Sequence, residues 1–201
     1  PESTLMRIHQ AARKEFRERG FHGASLRSIV KSLGMTTGAF YGYYKSKEDL
    51  FAALVEDHYR YLLDRFRQAQ KEFAHLPYAC QPEVLGDFSG ACMFDMLHYA
   101  YDHLEDCQLL LCCAEGTRFA GLVDEMVPIE TDATHNYFQV LEELGRPVPD
   151  IDLRLEHILI TGMFRTFFEL IIPAMPLNEA DNYLRDMRAC YTAGWMNIMW
   201  R

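Results

Sequence analysis

Apolar residues recur at spacings of three and four along nearly the whole chain, and no stretch alternates with a period of two. That is the spacing of helices with one buried face, so the pattern predicts an all-α protein. A first helix is expected over about Thr4–Arg19, with Leu5, Ile8, Ala12 and Phe16 as its apolar stripe and Gly20 at its end. Ser25 is placed to cap a second helix, Leu26–Leu33, which buries Ile29, Val30 and Leu33 and stops at Gly34. Thr36 or Thr37 then starts a short third helix to about Tyr43. Ser46-Lys-Glu-Asp49 reads as a capping box with Asp in the Glu position, opening a fourth helix that reaches Gln70 or beyond.

The stretch His75–Gly86 holds Pro77, Pro82 and Gly86 and reads as a connection between two bodies. Beyond it the spacing predicts helices over about Glu83–Leu104, Glu105–Cys113, Phe119–Leu144, Asp152–Ile172 and Asn178–Trp200. The helix from Asp152 is apolar nearly all round. Leu155, Leu159, Met163, Phe167 and Leu170 share one side, and Ile160, Phe164, Phe168 and Ile171 another. A helix without a polar face must be buried on two sides. One side is expected to face its own core and the other, through Phe164 and Phe168, a partner chain.

Composition narrows the class. At 201 residues and 49% apolar the chain has the make-up of an ordinary globular protein. The longest apolar run, Ile158–Phe164, is interrupted by Arg165 and Glu169, far short of the ~20 residues a membrane span needs. No secretory pattern opens the sequence, which suggests a cytoplasmic protein. Six cysteines show no CxxC pair and no zinc-type spacing, so most are expected as buried thiols.

Charge divides the chain. Residues 1–50 hold nine Lys/Arg against five Asp/Glu, a net +4. The other 151 residues hold 11 bases against 24 acids, a net −13. The basic part suits a polyanion and the acidic part is repelled by one. Within the basic part, two short helices joined through Leu33-Gly34-Met35-Thr36 have the appearance of a helix-turn-helix. Gly38 and Gly42 each cost about 1 kcal/mol in a helix interior, which a purely packing helix would avoid. They suit a helix lying close to a phosphate backbone. Tyr41, Tyr43, Lys45 and Lys47 supply hydroxyl and ammonium donors for phosphate oxygens.

These residues carry a resemblance. Ala11-Ala12, Phe16, Gly20-Phe21, Ser25–Gly34 and above all Thr37-Gly-Ala-Phe-Tyr-Gly-Tyr-Tyr-Lys-Ser-Lys-Glu-Asp-Leu50 resemble the DNA-binding domain of the TetR family of bacterial transcriptional regulators. The resemblance covers about a quarter of the chain. It implies a three-helix DNA-binding domain over residues 1–50 and a helical effector-binding and dimerisation domain over 51–201, with no cofactor. Arg27 would reach a base or phosphate. Thr36, Thr37, Gly38, Ala39 and Tyr41 would face bases or the adjacent backbone, and Tyr43, Lys45 and Lys47 would hold phosphates. Phe40 and Tyr44 would be core. Gly42 departs from the larger aromatic or His common there, removing one phosphate contact.

The resemblance also implies a homodimer on double-stranded operator DNA, built by the last two helices as a four-helix bundle. Leu184, Met187, Tyr191, Trp195 and Ile198 of the last helix join Phe164 and Phe168 as candidates for that interface. A small-molecule effector would bind the second domain. Phe88, Cys92, Met96 and Tyr99 lie at helical spacing, with Asp95 beside them as a polar anchor. Met126, Phe138, Met163 and Phe167 could complete a Met-rich, aromatic cavity, suited to an aromatic or cationic hydrophobic effector. Two other readings compete. One is a thiol or metal sensor built on Cys107, Cys112 and Cys113 with His98 and His103. The other is a helical enzyme, against which stands the absence of a nucleophile elbow, phosphate loop, dinucleotide fingerprint or H-E-x-x-H motif.

Overall fold

The computed structural model describes residues 3–199. Among them it forms nine α-helices, one 3-10 turn and no strand. In chain order these are α1 (Thr4–Gly23), α2 (Leu26–Ser32), α3 (Thr37–Tyr41), α4 (Lys47–Ala74), the turn Tyr78–Cys80, α5 (Gln81–Asp102), α6 (Leu104–Cys113), α7 (Leu122–Glu143), α8 (Leu153–Phe168) and α9 (Leu177–Met199). The expected end of the last helix at Trp200 lies outside the described residues. No described helix is long and apolar enough to cross a membrane.

Two compact units emerge. One comprises residues 1–61 with 103–121, and the other 62–102 with 122–201. Helix α4 is one continuous helix whose first half belongs to the first unit and whose second half belongs to the second.

In the first unit the core is aromatic. Phe16, Phe21 and Phe51 pack against one another, the Phe16 and Phe51 rings meeting edge to face at 4.9 Å. Ile8, Ala12, Ile29, Val30, Phe40, Leu50, Leu54 and Val55 are buried around them. Helix α6 lies along α1, joined by a two-pronged ion pair. Arg13 Nε and Nη2 donate to Asp106 Oδ1 and Oδ2 at 2.6 and 2.7 Å. Burial alone would push the Asp106 carboxyl up. The hydrogen bonds from Arg13 and His58, and their charges, outweigh it and hold the group at about 2. Gly116, at φ 84°, carries the turn after α6, and a Cβ there would land 2.0 Å from His22 Nε2. That turn therefore needs glycine on two counts.

The second unit packs α4, α5, α7, α8 and α9. Phe66 of α4 meets Phe164 of α8 edge to face at 5.2 Å, and Phe73 meets Tyr137 of α7 at 5.9 Å. Ionic ties lie on its rim, including Arg65 with Asp95 (2.6 Å) and His98 with Asp181 (2.8 Å). Helix α8 starts at Asp152, whose carboxylate accepts from the Arg154 and Leu155 N–H groups, and stops at Phe168 rather than Ile172. The Tyr101 hydroxyl, 2.9 Å from both the Leu170 and Met175 carbonyls, pins the connection to α9, where Ala174 sits at φ 52°.

Candidate nucleic-acid interface

The helix-turn-helix is built by local chemistry. Gly20 adopts φ 64°, breaking the regular helix before Phe21 as its position predicted. Gly34 adopts φ 65° after α2. There the Met35 N–H reaches back to the Val30 carbonyl and the Gly34 N–H to that of Lys31, both at 3.2 Å, closing the helix end in a Schellman motif. Thr36 Oγ1 accepts from the Ala39 N–H at 3.2 Å and opens α3. Ser46 Oγ accepts from the Asp49 N–H at 3.0 Å and opens α4. Phe40, fully buried, is the side chain that ties α3 to the core.

Three features differ from the sequence expectation. Ser25 precedes α2, but its side chain makes no cap hydrogen bond. The cap is Glu15 of α1, which is 8% exposed. Its Oε1 accepts from the Ser25 N–H (3.1 Å) and its Oε2 from the Ser28 hydroxyl (2.9 Å). Second, α3 ends at Tyr41, so Gly42 is a C-cap with φ −71° and carries no interior-glycine cost. Gly38 does lie in the helix, and a Cβ there would meet nothing within 4 Å.

Third, Lys47 is not a free cation. Its Nζ donates to the Phe21 and Ala24 carbonyls at 2.7 and 3.2 Å, reaches that of His22 at 3.4 Å, and stands 4.4 Å from the Phe21 ring centroid. It neutralises the carbonyl end of α1. Tyr44, expected in the core, is half-buried, with its hydroxyl hydrogen-bonded to His9 Nε2.

The remaining candidates share an exposed surface. Arg27, Thr36, Thr37, Gly38, Ala39 and Lys45 are exposed, as are Tyr41 (52%) and Tyr43 (47%). Large aromatic side chains left half in water on a small unit are unusual unless something covers them. A row of hydroxyls and cations around a short helix offers donors to phosphate oxygens and to base edges.

The effector candidates fare differently. Asp95 is exposed and its carboxylate is bound by Arg65, so it does not project as a polar anchor into an apolar cavity. Cys92, Met96, Met126 and Phe167 are buried, and Phe88, Tyr99, Phe138 and Met163 are half-buried. Cys92 Sγ lies 3.8 Å from Met96 Sδ, and Phe88 stacks near Phe73 at 5.8 Å. The polar groups that do lie inside were missed: Glu156 of α8 is 1% exposed, and Glu130 of α7 is partly buried. Glu156 stands one turn before Ile160 and two before Phe164. That place on the inward stripe was the available signal.

The interface candidates also divide. Phe164, Phe168 and Leu184 are at most 3% exposed within the single chain, so they pack inward and present nothing to a second chain. Met187, Tyr191, Trp195 and Ile198 are half-buried. The apolar side chains left outside on α8 are instead Leu153 (67%), Leu155 (41%) and Ile158 (63%).

The cysteines divide evenly. Cys92, Cys107 and Cys113 are buried, while Cys80, Cys112 and Cys190 are exposed rather than buried. Burial pushes the Cys107 thiol to about 12 and that of Cys92 to about 11. Such thiols are poor nucleophiles and poor metal ligands. Among the described residues no group of three or more His, Cys, Asp or Glu is arranged to hold a metal ion. His98 is engaged with Asp181, and the ring of His103 lies 4.8 Å from that of His58.

Residues 8–54 match the bacterial regulatory proteins, tetR family. Over 51 residues the chain is 49% identical to the uncharacterized HTH-type transcriptional regulator YdgC of Bacillus subtilis, covering 25% of this chain and 26% of that one. It is 42% identical over 65 residues to the HTH-type transcriptional regulator UidR of Escherichia coli, covering 32% and 33%. The chain thus spans about a quarter to a third of the length of the curated relatives it matches. Solved structures extend the likeness of fold to the rest. A TetR regulator from Streptomyces coelicolor A3 matches with a TM-score of 0.61 at 15% identity, over 95% of this chain and 90% of that one. A tetR-family protein from Rhodococcus RHA1 matches with a TM-score of 0.56 at 18% identity, over 94% and 97%.

Proposed function

The chain belongs, through residues 8–54, to the bacterial regulatory proteins of the tetR family, and from that premise we propose that it is a ligand-responsive repressor acting as a homodimer on a near-palindromic operator. Residues 1–50 are the part that meets DNA, and residues 51–201 hold the effector and the partner chain. The observation that carries the DNA reading is the exposed surface of α3. Gly38 lies in a helix where the fold has room for a larger side chain, and Tyr41, Tyr43 and Lys45 stand exposed beside it. Thr36, Thr37, Ala39 and Tyr41 meet base edges or the adjacent sugar-phosphate. Arg27, Tyr43 and Lys45 hold phosphates, and Lys47 acts by holding the end of α1 in place.

A single headpiece binds weakly, and two-fold pairing doubles its phosphate contacts and fixes half-site spacing. The exposed Leu153, Leu155 and Ile158 on α8, with Met187, Tyr191, Trp195 and Ile198 on α9, are the surface we assign to pairing. The effector works by population shift, favouring a conformation of α4 in which the two recognition helices lose groove spacing.

Fluorescence anisotropy with the DNA flanking its own gene tests the reading. Tyr41→Ala should cost about 1–3 kcal/mol of operator affinity. Lys45→Ala should weaken binding to all sequences and shrink the log K–log salt slope by about 0.9 per phosphate released. If neither variant changes binding, the assignment of α3 to the groove is wrong.

A further inference from the structure

The acids missed by the sequence pattern form a donor-poor site inside the second unit. Glu130 Oε2 accepts from Gln70 Nε2 of α4 at 2.7 Å. Glu156 Oε2 lies 3.0 Å from His135 Nε2 of α7. Glu156 Oε1 is fully enclosed and has no hydrogen-bond partner among the described residues. Burial, reinforced by the negative charge of Glu156 and opposed by the Gln70 hydrogen bond, lifts the Glu130 carboxyl to about 7. Glu130 is also close enough to raise the Cys92 thiol, which places α5 near the same field.

Two buried carboxyls that repel each other, one with an open oxygen, are a poor way to build a core. Apolar residues would pack the same space without the desolvation penalty. The surroundings are aromatic. On α4, Phe66 and Phe73 lie about one turn either side of Gln70, Phe66 against Phe164 and Phe73 against Tyr137. The only cation-forming side chain hydrogen-bonded to this pair is His135.

What would satisfy such a place is positive charge carrying several N–H donors on an apolar body. An ammonium or amidinium can donate to Glu156 Oε1 and to Glu130 together, forming charge-assisted hydrogen bonds. Flat aromatic faces beside it suit a cation and reject an anion. We propose that Glu130 and Glu156, with Gln70 and His135 orienting them, form a binding site for an organic cation bearing N–H donors on an aromatic-sized apolar body. The proposal deepens the regulator reading and rests on it for its biological meaning, but its test does not need DNA.

The test uses the whole chain at pH 8 and three matched probes: 2-phenylethylamine, 2-phenylethanol and phenylacetate. Binding is measured by calorimetry and by thermal shift. The amine should bind at least roughly ten-fold tighter than the alcohol, as one charge-assisted hydrogen bond allows, and phenylacetate should not bind. Glu156→Gln and Glu130→Gln should each remove that preference and leave alcohol binding within about two-fold, since only the charge is lost. Neither variant should lower the melting temperature of the free protein, because each removes a repelling buried charge; a purely structural acid would lower it on removal.

Equal binding of amine and alcohol overturns the proposal. So does an amine preference untouched in both variants, no amine binding, or a fall in melting temperature in both variants. Operator binding is measured separately on the same samples. If amine discrimination stands and operator binding fails, the regulator reading falls and the site remains. If operator binding stands and discrimination fails, only the site falls. If the amine binds without loosening the operator complex, the site stands and ligand response through it does not.

Discussion

Glu15 and Glu156 are both buried acids, 8% and 1% exposed, and they serve opposite ends. Glu15, in the first unit, spends both oxygens, on the Ser25 N–H and on the Ser28 hydroxyl at the start of α2. Glu156, in the second, spends one on His135 and leaves the other open. The first unit closes its polar accounts internally: Glu15 caps α2, Lys47 closes α1, and Thr36 and Ser46 open α3 and α4. Its unspent groups all face outward. The second unit keeps an unspent group inside. A scaffold that must hold one shape for a rigid duplex satisfies its own donors and acceptors. A body that must accept a small molecule keeps one polar group waiting.

The largest test of that contrast is a pair of substitutions. Glu15→Ala leaves the α2 N-terminus and Ser28 unsatisfied and should cost about 3 kcal/mol in chemical denaturation, the worth of two hydrogen bonds to a charged group. Glu156→Gln should cost nothing or stabilise. If both destabilise equally, the two acids are equivalent and the contrast fails.

Close behind comes pH. The Glu130 carboxyl stands at about 7 against an ordinary 4.5. Its folded-state value is raised, so the folded protein holds this proton more tightly than the unfolded chain. Stability from this group is therefore fully present below pH ~4.5 and falls as pH rises to ~7, by about 3 kcal/mol. Urea denaturation from pH 5 to 8 should show that decline, and Glu130→Gln should flatten it. An unchanged slope in the variant would sink the assignment.

Lys47→Met should come next, at about 1–2 kcal/mol, from loss of charge at the α1 carbonyls and of the contact with the Phe21 ring. It should move the salt slope of operator binding less than Lys45→Ala does. The reverse order would make Lys47 a direct phosphate ligand.

The smallest effect is the most discriminating. Gly38→Ala should stabilise the free protein by about 0.5–1 kcal/mol, since the helix gains and nothing obstructs the methyl. It should nonetheless weaken operator binding. Unchanged affinity would mean that no partner approaches α3 at that point.

Much of the first unit was legible in the sequence because its devices are local. Gly20, Gly34, Thr36 and Ser46 each act within about five residues of themselves, through turns and caps whose chemistry a short window displays. The exposed row from Thr36 to Lys45 could be read for the same reason, since polar residues on a short basic helix have few internal partners. Glu15 was not legible, because its partners lie 10 and 13 residues on, across a helix end. Nor was the engagement of Lys47, whose three carbonyls lie 23 to 26 residues back.

In the second unit the helices themselves followed from the spacing of apolar residues, but their facing did not. Period alone gave α8 two apolar sides. Packing turned Phe164 and Phe168 inward and left Leu155 and Ile158 in solvent. Asp95 looked like an anchor by its neighbours on α5, and was claimed by Arg65 from α4.

The sequence by itself thus determined an all-helical chain, a basic N-terminal segment and the turn chemistry that presents α3. Each depends on charge and spacing within a few residues. Only the tertiary structure decided which buried acid is satisfied and which is left open. Hydrogen-bond partners for Glu130 and Glu156 arrive from helices 60 and 21 residues away, and no window of sequence carries that geometry.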